Sequence, residues 1–496
     1  MTTWRTPRSS PSRNHAPDNA QLRCGSGMDP PFSNPSPVYR SRGAGIPEGT
    51  KAHACIQAFC SRARKSTVRR YSGVGKTMPL PKKAGVSMSN IGEILFTWND
   101  RLPGDGMSVE IEDDTLRDGL QASFIRKPTV EEKAELVRMS AGIGARHAVL
   151  GFPASSPAEF SDSRRLLSVI SDDGLPIMPW FLGRAVREDL EPMLRLRDHF
   201  GADVGAAFFI GTSPIRRHVE EWDMTQILER ITDTMEYLEK VGLPFSFSVE
   251  DASRTPPHEL ETMVELAVQH SAYSIAVCDT VGESTPAGVH RLVGFVKSII
   301  KNRGSDVKIL WHGHNDRGLG LANSIAAVEA GADIVGGAFL GIGERSGNTA
   351  LEQVIMYLHQ NGIGNFDVKG LIPYLKKLSA ATDFPIPVNM PLVGQQAFAT
   401  CTGTHAAAVL KAAGLGTDFE DYVFSSIPAS ELGAVQDIGV GPTSGMANAK
   451  YVLDKGKMDA SEGTAAELLA FAKKQQRLMY EDEIIAWYDQ RVVKGS

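Results

Sequence analysis

Three short segments carry side chains whose types and spacing could do chemistry. The first is His312-Gly-His314-Asn-Asp316. In an extended segment, residues i and i+2 point the same way, so the two imidazoles share a face and make half of a metal site. The plainer reading is a pair of satisfied polar residues on a loop. The second segment is Asp113-Asp114-Thr-Leu-Arg117-Asp118-Gly119. A carboxylate beside an arginine is usually a salt bridge, but Asp118 could instead serve as a metal ligand and Arg117 as a fixed cation. The third is Gly341-Ile-Gly343-Glu344-Arg345-Ser-Gly347-Asn348. As a glycine loop it is a weak signal, yet Asn348 offers a side-chain oxygen. Two histidines, an aspartate and an asparagine give mixed nitrogen and oxygen ligation. That set suits Mg, Mn, Co, Fe or Zn rather than a thiolate site, and it leaves positions open for a substrate.

These segments lie far apart in sequence, so a fold must bring them together. From Ser108 onward, apolar strand-like runs alternate with helical stretches. The runs are Ser108–Glu112, Ala145–Leu150, Pro176–Phe181, Ala206–Ile210, Phe245–Val249, Ser274–Cys278, Lys308–His312 and Ile334–Gly336. Their spacing is that of strand–loop–helix units. Thr129–Ile143 and Met224–Val241 between them read as amphipathic helices. Eight such units predict an α/β fold, a (β/α)8 TIM barrel spanning residues 91–365, with chemistry at the C-terminal strand ends. Strand eight pairs with strand one in a closed barrel, so Asp118, His312 and His314 can converge. Residues 366–496, with Pro-rich breaks, a Gly-rich stretch at 438–445 and helical patterns over Ala465–Val493, predict an appended, mostly helical region.

Composition bounds the function classes. The chain has 496 residues, 42% hydrophobic and 22% charged, with a formal charge of −6. It lacks the ~20-residue apolar run of a spanning helix, so no membrane role is expected, nor is nucleic acid as a partner. Five cysteines exclude a disulfide scaffold. Charge is uneven: residues 1–90 hold 15 of the 52 Lys and Arg but only 3 of the 58 Asp and Glu. This Pro-, Ser-, Gly- and Arg-rich segment shows no sustained apolar period and is expected to be disordered. A start at Met78 or Met88 is favoured over an organelle transit segment or a basic tail, so the expected location is the cytoplasm. A metal cluster of Cys24, Cys55 and Cys60 is not expected.

Together, Asp-Thr-Leu-Arg-Asp-Gly, His-x-His-Asn-Asp and Gly-x-Gly-Glu-Arg-x-Gly-Asn resemble the DRE-TIM metallolyase superfamily. Gly151-Phe-Pro153, Phe209-Ile-Gly-Thr-Ser-Pro214, Val249-Glu250-Asp251-Ala252, Asp279-Thr280-Val-Gly282 and Ala322–Val328 extend the match over roughly residues 108–455. The chain resembles the acetyl-CoA-dependent condensing branch: 2-isopropylmalate, homocitrate, citramalate and (Re)-citrate synthases. The resemblance implies that Asp118, His312, His314 and Asn348 bind a divalent metal (Mg, Mn, Co or Zn). It implies that Arg117 faces the 2-oxo group, that Thr280 contacts the substrate carboxylate with Gln121 nearby, and that Glu250 supports the reacting centre. Thr402-Gly403-Thr404-His405 resembles the branch's Ser-Gly-Ile-His, whose histidine does acid–base work, and Tyr422 resembles a tyrosine near that site. A homodimer, with His405 acting across subunits, is also implied.

Departures bear on the substrate. Leu120 stands where the synthases usually carry glutamate, and Arg-Asp-Gly-Leu-Gln is the spelling of hydroxymethylglutaryl-CoA lyase. That lyase needs a cysteine in its glycine loop, and residues 336–348 contain none. Val149 and Arg317 also depart from the synthase pattern. Leu120 and Arg317 make the site less negative, which favours a dianionic 2-oxo acid such as oxaloacetate, 2-oxoglutarate or phosphonopyruvate over 2-oxoisovalerate. The alternative for Arg317 is a salt bridge outside the pocket, for example with Glu344. Few residues follow the accessory region, so a leucine-sensing domain is not expected.

Overall fold

The computed structural model describes residues 91, 94–99, 107–201 and 203–495. The basic extension over residues 1–90, with Cys24, Cys55 and Cys60, lies outside them. Several helix starts are written in the sequence. Thr129 and Glu132 form a capping box: Glu132 N–H donates to Thr129 Oγ1 at 3.3 Å, and Thr129 N–H donates to Glu132 Oε2 at 2.7 Å. That box opens α1 (Val130–Ile143). A hydroxyl cap followed by proline at the first helical position opens α2 (Pro157–Asp172), α4 (Pro214–Glu220) and α7 (Pro286–Asn302). Between and after these stand α3 (Arg187–Phe200), α5 (Met224–Val241), α6 (Pro257–Gln269), α8 (Gly320–Ala330) and α9 (Leu351–Gln360).

The strands are β1 (Glu110–Asp113), β2 (His147–Val149), β3 (Met178–Arg184), β4 (Gly205–Gly211), β5 (Phe245–Glu250), β6 (Ser274–Asp279), β7 (Lys308–Gly313) and β8 (Ile334–Gly337). All pair in parallel with their sequence neighbours, and β8 returns to β1 with Asp113 opposite Gly337, closing the barrel. All eight expected runs became strands. The third was misplaced: Pro176 has no N–H to give a ladder, pairing starts at Met178 opposite His147, and the strand runs on to Arg184.

Alternation along β1 sorts its side chains. Ile111 and Asp113 face the helix layer, where Asp113 accepts from Ser140 Oγ of α1 at 2.6 Å. Glu110 and Glu112 face the interior. Glu110 belongs to a polar plug at the N-terminal end of the barrel: Lys308 Nζ donates to Glu110 Oε2 at 2.6 Å and to Tyr273 Oη at 3.0 Å. His147 bridges Glu110 (3.1 Å) and the indole N–H of buried Trp180 (3.1 Å). The main apolar core lies between the strands and the helices, where Phe208, Phe247, Trp311 and Phe181 are fully buried.

The barrel's core does not stop at residue 365, the expected boundary. Helix α10 (Leu371–Thr382) buries Tyr374, Leu375 and Leu378 in it, and the Tyr374 ring packs 4.2 Å from that of Phe339. Beyond it come β9 (Ala399–Thr400) paired with β10 (Asp437–Ile438), and helices α11 (Gly403–Ala413), α12 (Thr417–Val423), α13 (Met446–Lys455), α14 (Glu462–Ala472) and α15 (Glu481–Gly495). The last three form a small second core around Val440, Leu453, Leu468 and Ile484. Among the described residues, no helix is long and apolar enough to cross a membrane.

Candidate active site

β1 ends in a tight turn that places Asp118 at the head of a single 3-10 turn, Gly119–Gln121, at the C-terminal end of the barrel. β7 presents His312 beside Gly336 of β8. Just past the strand end, His314 bridges Asn348 of the glycine loop. Asp118 Oδ2 is then 3.5 Å from His312 Nε2 and 3.7 Å from His314 Nε2. The candidate ligand atoms of these three residues all lie within 4.8 Å of one another. Asn348 joins them by donating Nδ2–H to Asp118 Oδ1 at 3.0 Å and to the Ile342 carbonyl at 3.1 Å. Among the described residues its buried Oδ1 has no hydrogen-bond partner, and neither has His314 Nδ1. An unpaired buried oxygen on the residue that bridges His314 and bonds Asp118 fits a divalent cation, the group that would satisfy it. Gly343 makes room for this arrangement: its φ is +148°, and a Cβ there would stand 2.3 Å from Asn348 Nδ2.

Arg117 is gripped by two carboxylates. It donates to Asp118 Oδ2 at 2.9 Å and forms a close ion pair with Asp114. Burial works against its charge, but Asp114 and Asp118 outweigh burial and hold the guanidinium protonated. Burial likewise opposes ionisation of Asp118, and Arg117 and His312 more than offset it, so the carboxyl sits well below the usual range. Burial lowers the His314 imidazole to about 4, the neutral form a metal requires.

These groups open onto a cavity of about 400 Å³ running down the barrel axis. Thr280 and Gln121 line it, as expected from the sequence. Thr280 Oγ1 accepts from Asp251 N–H at 2.9 Å, which leaves the hydroxyl proton free for a ligand. Glu250, at the end of β5, also lines it, 3.2 Å from Arg216 Nε. Burial raises the Glu250 carboxyl above its ordinary value.

Three expectations do not hold within one chain. Arg317 does not line the cavity. It donates to the Glu283 carbonyl at 2.5 Å and pairs with Glu283 Oε2 at 3.4 Å on the outer surface, so the partner is neither a substrate nor Glu344. Leu120 is buried in the apolar core and does not alter the charge of the cavity. Arg317 and Leu120 therefore give no support to a dianionic substrate. His405 and Tyr422 stand away from the cavity: His405 is exposed on α11 and stacks on Phe424 with ring centroids 4.0 Å apart, and Tyr422 is half-buried on α12. The reason is local. The Gly-rich stretch seats α11 against its own subdomain, with Ser444 Oγ and Asn448 Nδ2 both donating to the Cys401 carbonyl.

Sequence reasoning missed Glu112, Asp114 and Arg216 as cavity groups or supports. The signal was present in β1 and the residue after it, where Glu110, Glu112 and Asp114 recur at period two.

A family model described as HMGL-like matches residues 108–378. Homocitrate synthase AksA of Methanopyrus kandleri is 33% identical over 365 residues, 73% of this chain and 86% of that protein. A probable 2-isopropylmalate synthase of the same organism is 34% identical over 369 residues, 74% of this chain and 69% of that protein. The 2-isopropylmalate synthase of Sulfurisphaera tokodaii is 32% identical over 373 residues, 74% of this chain and 90% of that protein. With its barrel, its clustered Asp118, His312, His314 and Asn348, and these relatives, the chain belongs to the HMGL-like family, on the DRE-TIM acetyl-CoA-dependent condensing branch.

Proposed function

We propose that this enzyme joins acetyl-CoA to a 2-oxo acid in a Claisen-type condensation and hydrolyses the thioester, giving a 2-substituted malate and free CoA. The observation that carries the reading is the meeting of Asp118, His312, His314 and the unpaired Asn348 oxygen beside Arg117, over one cavity. Held by those four residues, a divalent metal (Mg, Mn, Co or Zn) would supply Lewis acidity at the keto oxygen.

The chain's own groups do the rest. Thr280 donates its free hydroxyl to the substrate carboxylate, with Gln121 alongside. Arg117, kept charged by Asp114 and Asp118, stabilises the alkoxide that develops as the acetyl methyl carbon bonds to the keto carbon. Glu250, anchored by Arg216, supports the reacting centre. His405 takes the methyl proton as the general base, and Tyr422 lies with it on the accessory region. Because His405 is exposed and outside its own chain's cavity, a second copy of the chain delivers it, and the working unit is a homodimer. Water then cleaves the thioester and releases the CoA thiol.

The second reading is a hydroxymethylglutaryl-CoA lyase, favoured by Arg117-Asp118-Gly119-Leu120-Gln121. The lack of cysteine in 336–348 argues against it. The test is CoA release from acetyl-CoA with a thiol reagent, using the full chain, added Mg or Mn, a panel of 2-oxo acids and an EDTA control. Metal-dependent release is expected. No release, with cleavage of hydroxymethylglutaryl-CoA instead, overturns the proposal in favour of the lyase.

A further inference from the structure

Three acids follow one another at period two along β1 and into the turn after it. Glu110, at the bottom, is matched by Lys308 and His147. Asp114, at the top, is matched by Arg117. Glu112, between them, is only 7% exposed and lines the cavity. Among the described residues its carboxyl has no hydrogen bond and no ion pair, only longer-range charges around it. A buried carboxyl without a partner is costly, on the order of 1–3 kcal/mol or more, and it faces an open cavity rather than packed atoms. Its position matters for the chemistry. A Cβ built on Gly336 would stand 3.4 Å from Glu112 Oε1 and 3.5 Å from His312 Nδ1. Gly336 therefore leaves a gap bordered by this carboxyl on one side and a metal-site histidine on the other. Along β5 and β6 the cavity wall is small and partly polar: Ser246 and Ser248, Ala276 and Cys278. No hydrogen bond satisfies the Ser248 hydroxyl among the described residues, while Ser246 accepts from Ser274 at 2.8 Å.

We propose that Glu112 reads the far end of the 2-oxo acid, and that this end carries a hydrogen-bonding group rather than a bare branched alkyl chain. The inference rests on the condensing reading above and names its substrate class. A 2-oxo acid held at the metal ligands by its first two carbons sends its side chain down the barrel, toward the one interior acid of β1 that lacks a partner. A polar end satisfies that acid. An alkyl end buries it dry, and a site built for a hydrogen bond rejects analogues that lack the group far more strongly than an apolar pocket rejects a misfit. Burial and the neighbouring Asp114 raise the Glu112 carboxyl to about 7, so it can donate to a carboxylate or phosphonate end and accept from an amide or hydroxyl end.

The test measures CoA release by the full, metal-loaded chain with 2-oxoisovalerate, 2-oxoglutarate and 2-oxoglutaramate, for wild type, Glu112→Leu and Glu112→Gln. The wild type should favour at least one polar-ended acid over 2-oxoisovalerate by about 100-fold or more in kcat/KM. Glu112→Leu should cut that ratio below about tenfold, and Glu112→Gln should keep part of it. The acid and amide arms tell which polar end is read. The second readout is Tm. Glu112→Leu removes an unpartnered buried carboxyl and should melt no lower than wild type, and polar-ended acids should raise the Tm of wild type more than that of Glu112→Leu. Best turnover with 2-oxoisovalerate, or a ratio that a folded Glu112→Leu leaves unchanged, overturns the proposal. Glu112-dependent Tm shifts without CoA release from any acid overturn the condensing reading and keep the assignment of Glu112. Neither Tm shift nor release overturns both.

Discussion

Asn348 and Asp118, 230 residues apart, are joined by a 3.0 Å hydrogen bond from Nδ2 to Oδ1. The bond fixes the amide through its nitrogen, and its own oxygen is buried and, among the described residues, unpaired. One residue thus holds a candidate ligand in place and keeps an acceptor in reserve. Asn348→Ala should weaken divalent metal binding about 10–100-fold, the usual range for lost outer and inner support at such sites. Titration with Mn followed by its EPR signal measures this. Unchanged affinity would show that the metal is held by Asp118, His312 and His314 without help from Asn348.

Arg117 and Arg317 looked alike in sequence, and the fold separates them. Arg117 is enclosed by Asp114 and Asp118 at the cavity, whereas Arg317 is spent on Glu283 outside it. Arg117→Lys loses the two-armed grip and should lower kcat by about 10²–10³, the scale of a lost charge-stabilising donor. Arg317→Leu should stay within about twofold for every 2-oxo acid tested, as expected of a surface pair. A large effect of Arg317→Leu on KM would restore the sequence-based assignment.

The barrel and the metal cluster were legible because their signals are local. Strand and helix periods are set by neighbours along the chain, and His312-Gly-His314 needs only an extended backbone to align its rings. What could not be read depends on which face a residue takes and what lies opposite. Leu120 looked like a change in site charge and is in fact core packing, because the 3-10 turn after β1 buries it in the main apolar core. Glu112 looked like one acid among many, because its lack of a partner exists only in three dimensions. The boundary at residue 365 failed because α10 continues the apolar period of a barrel helix after a Gly-rich break.

The polar plug gives the barrel an acid-sensitive base. The His147 hydrogen bond, then Lys308, overcome burial and hold the Glu110 carboxyl at about 2, down from 4.5. A carboxyl depressed in the folded state contributes stability above its unfolded pKa and loses it as pH falls toward the folded one. Glu110→Gln should therefore be less stable than wild type at pH 6, and the gap in urea midpoint should close between about pH 4.5 and 2. A gap that persists at the acid end would mean that Glu110 acts by shape rather than charge.

Glu352, fully buried at the start of α9, shows the opposite sign. Its Oε2 accepts from Leu340 N–H at 3.0 Å, pinning the loop that carries Asn348, while Oε1 makes no hydrogen bond among the described residues. Burial raises this carboxyl to about 7. A carboxyl raised in the folded state favours folding below its unfolded pKa, and that contribution is lost as pH climbs through the folded value. Glu352→Gln keeps an acceptor for Leu340 without the charge. Its stability relative to wild type should rise between about pH 5 and 8, by up to roughly 3 kcal/mol. Glu352→Ala should destabilise at both ends, since it frees the Leu340 N–H as well. Chemical denaturation at the two pH values separates these outcomes.

His405 provides the sharpest test of how the molecule is assembled. It stacks on Phe424, exposed, and does not line the cavity of its own chain. If a second copy delivers it, two defective chains can repair one another. Asp118→Asn has a damaged barrel and an intact His405, and His405→Ala has the reverse. In a two-fold dimer each mixed pair contains one site with a sound barrel facing a sound histidine. Random exchange makes half of the dimers mixed, so co-expression of the two inactive variants should restore about one quarter of wild-type CoA release. If His405 instead swings into its own barrel, every site in every combination carries a defect and the mixture stays as inactive as its parts. Activity above that floor, scaling with the mixed fraction isolated by two tags, places the histidine across the interface.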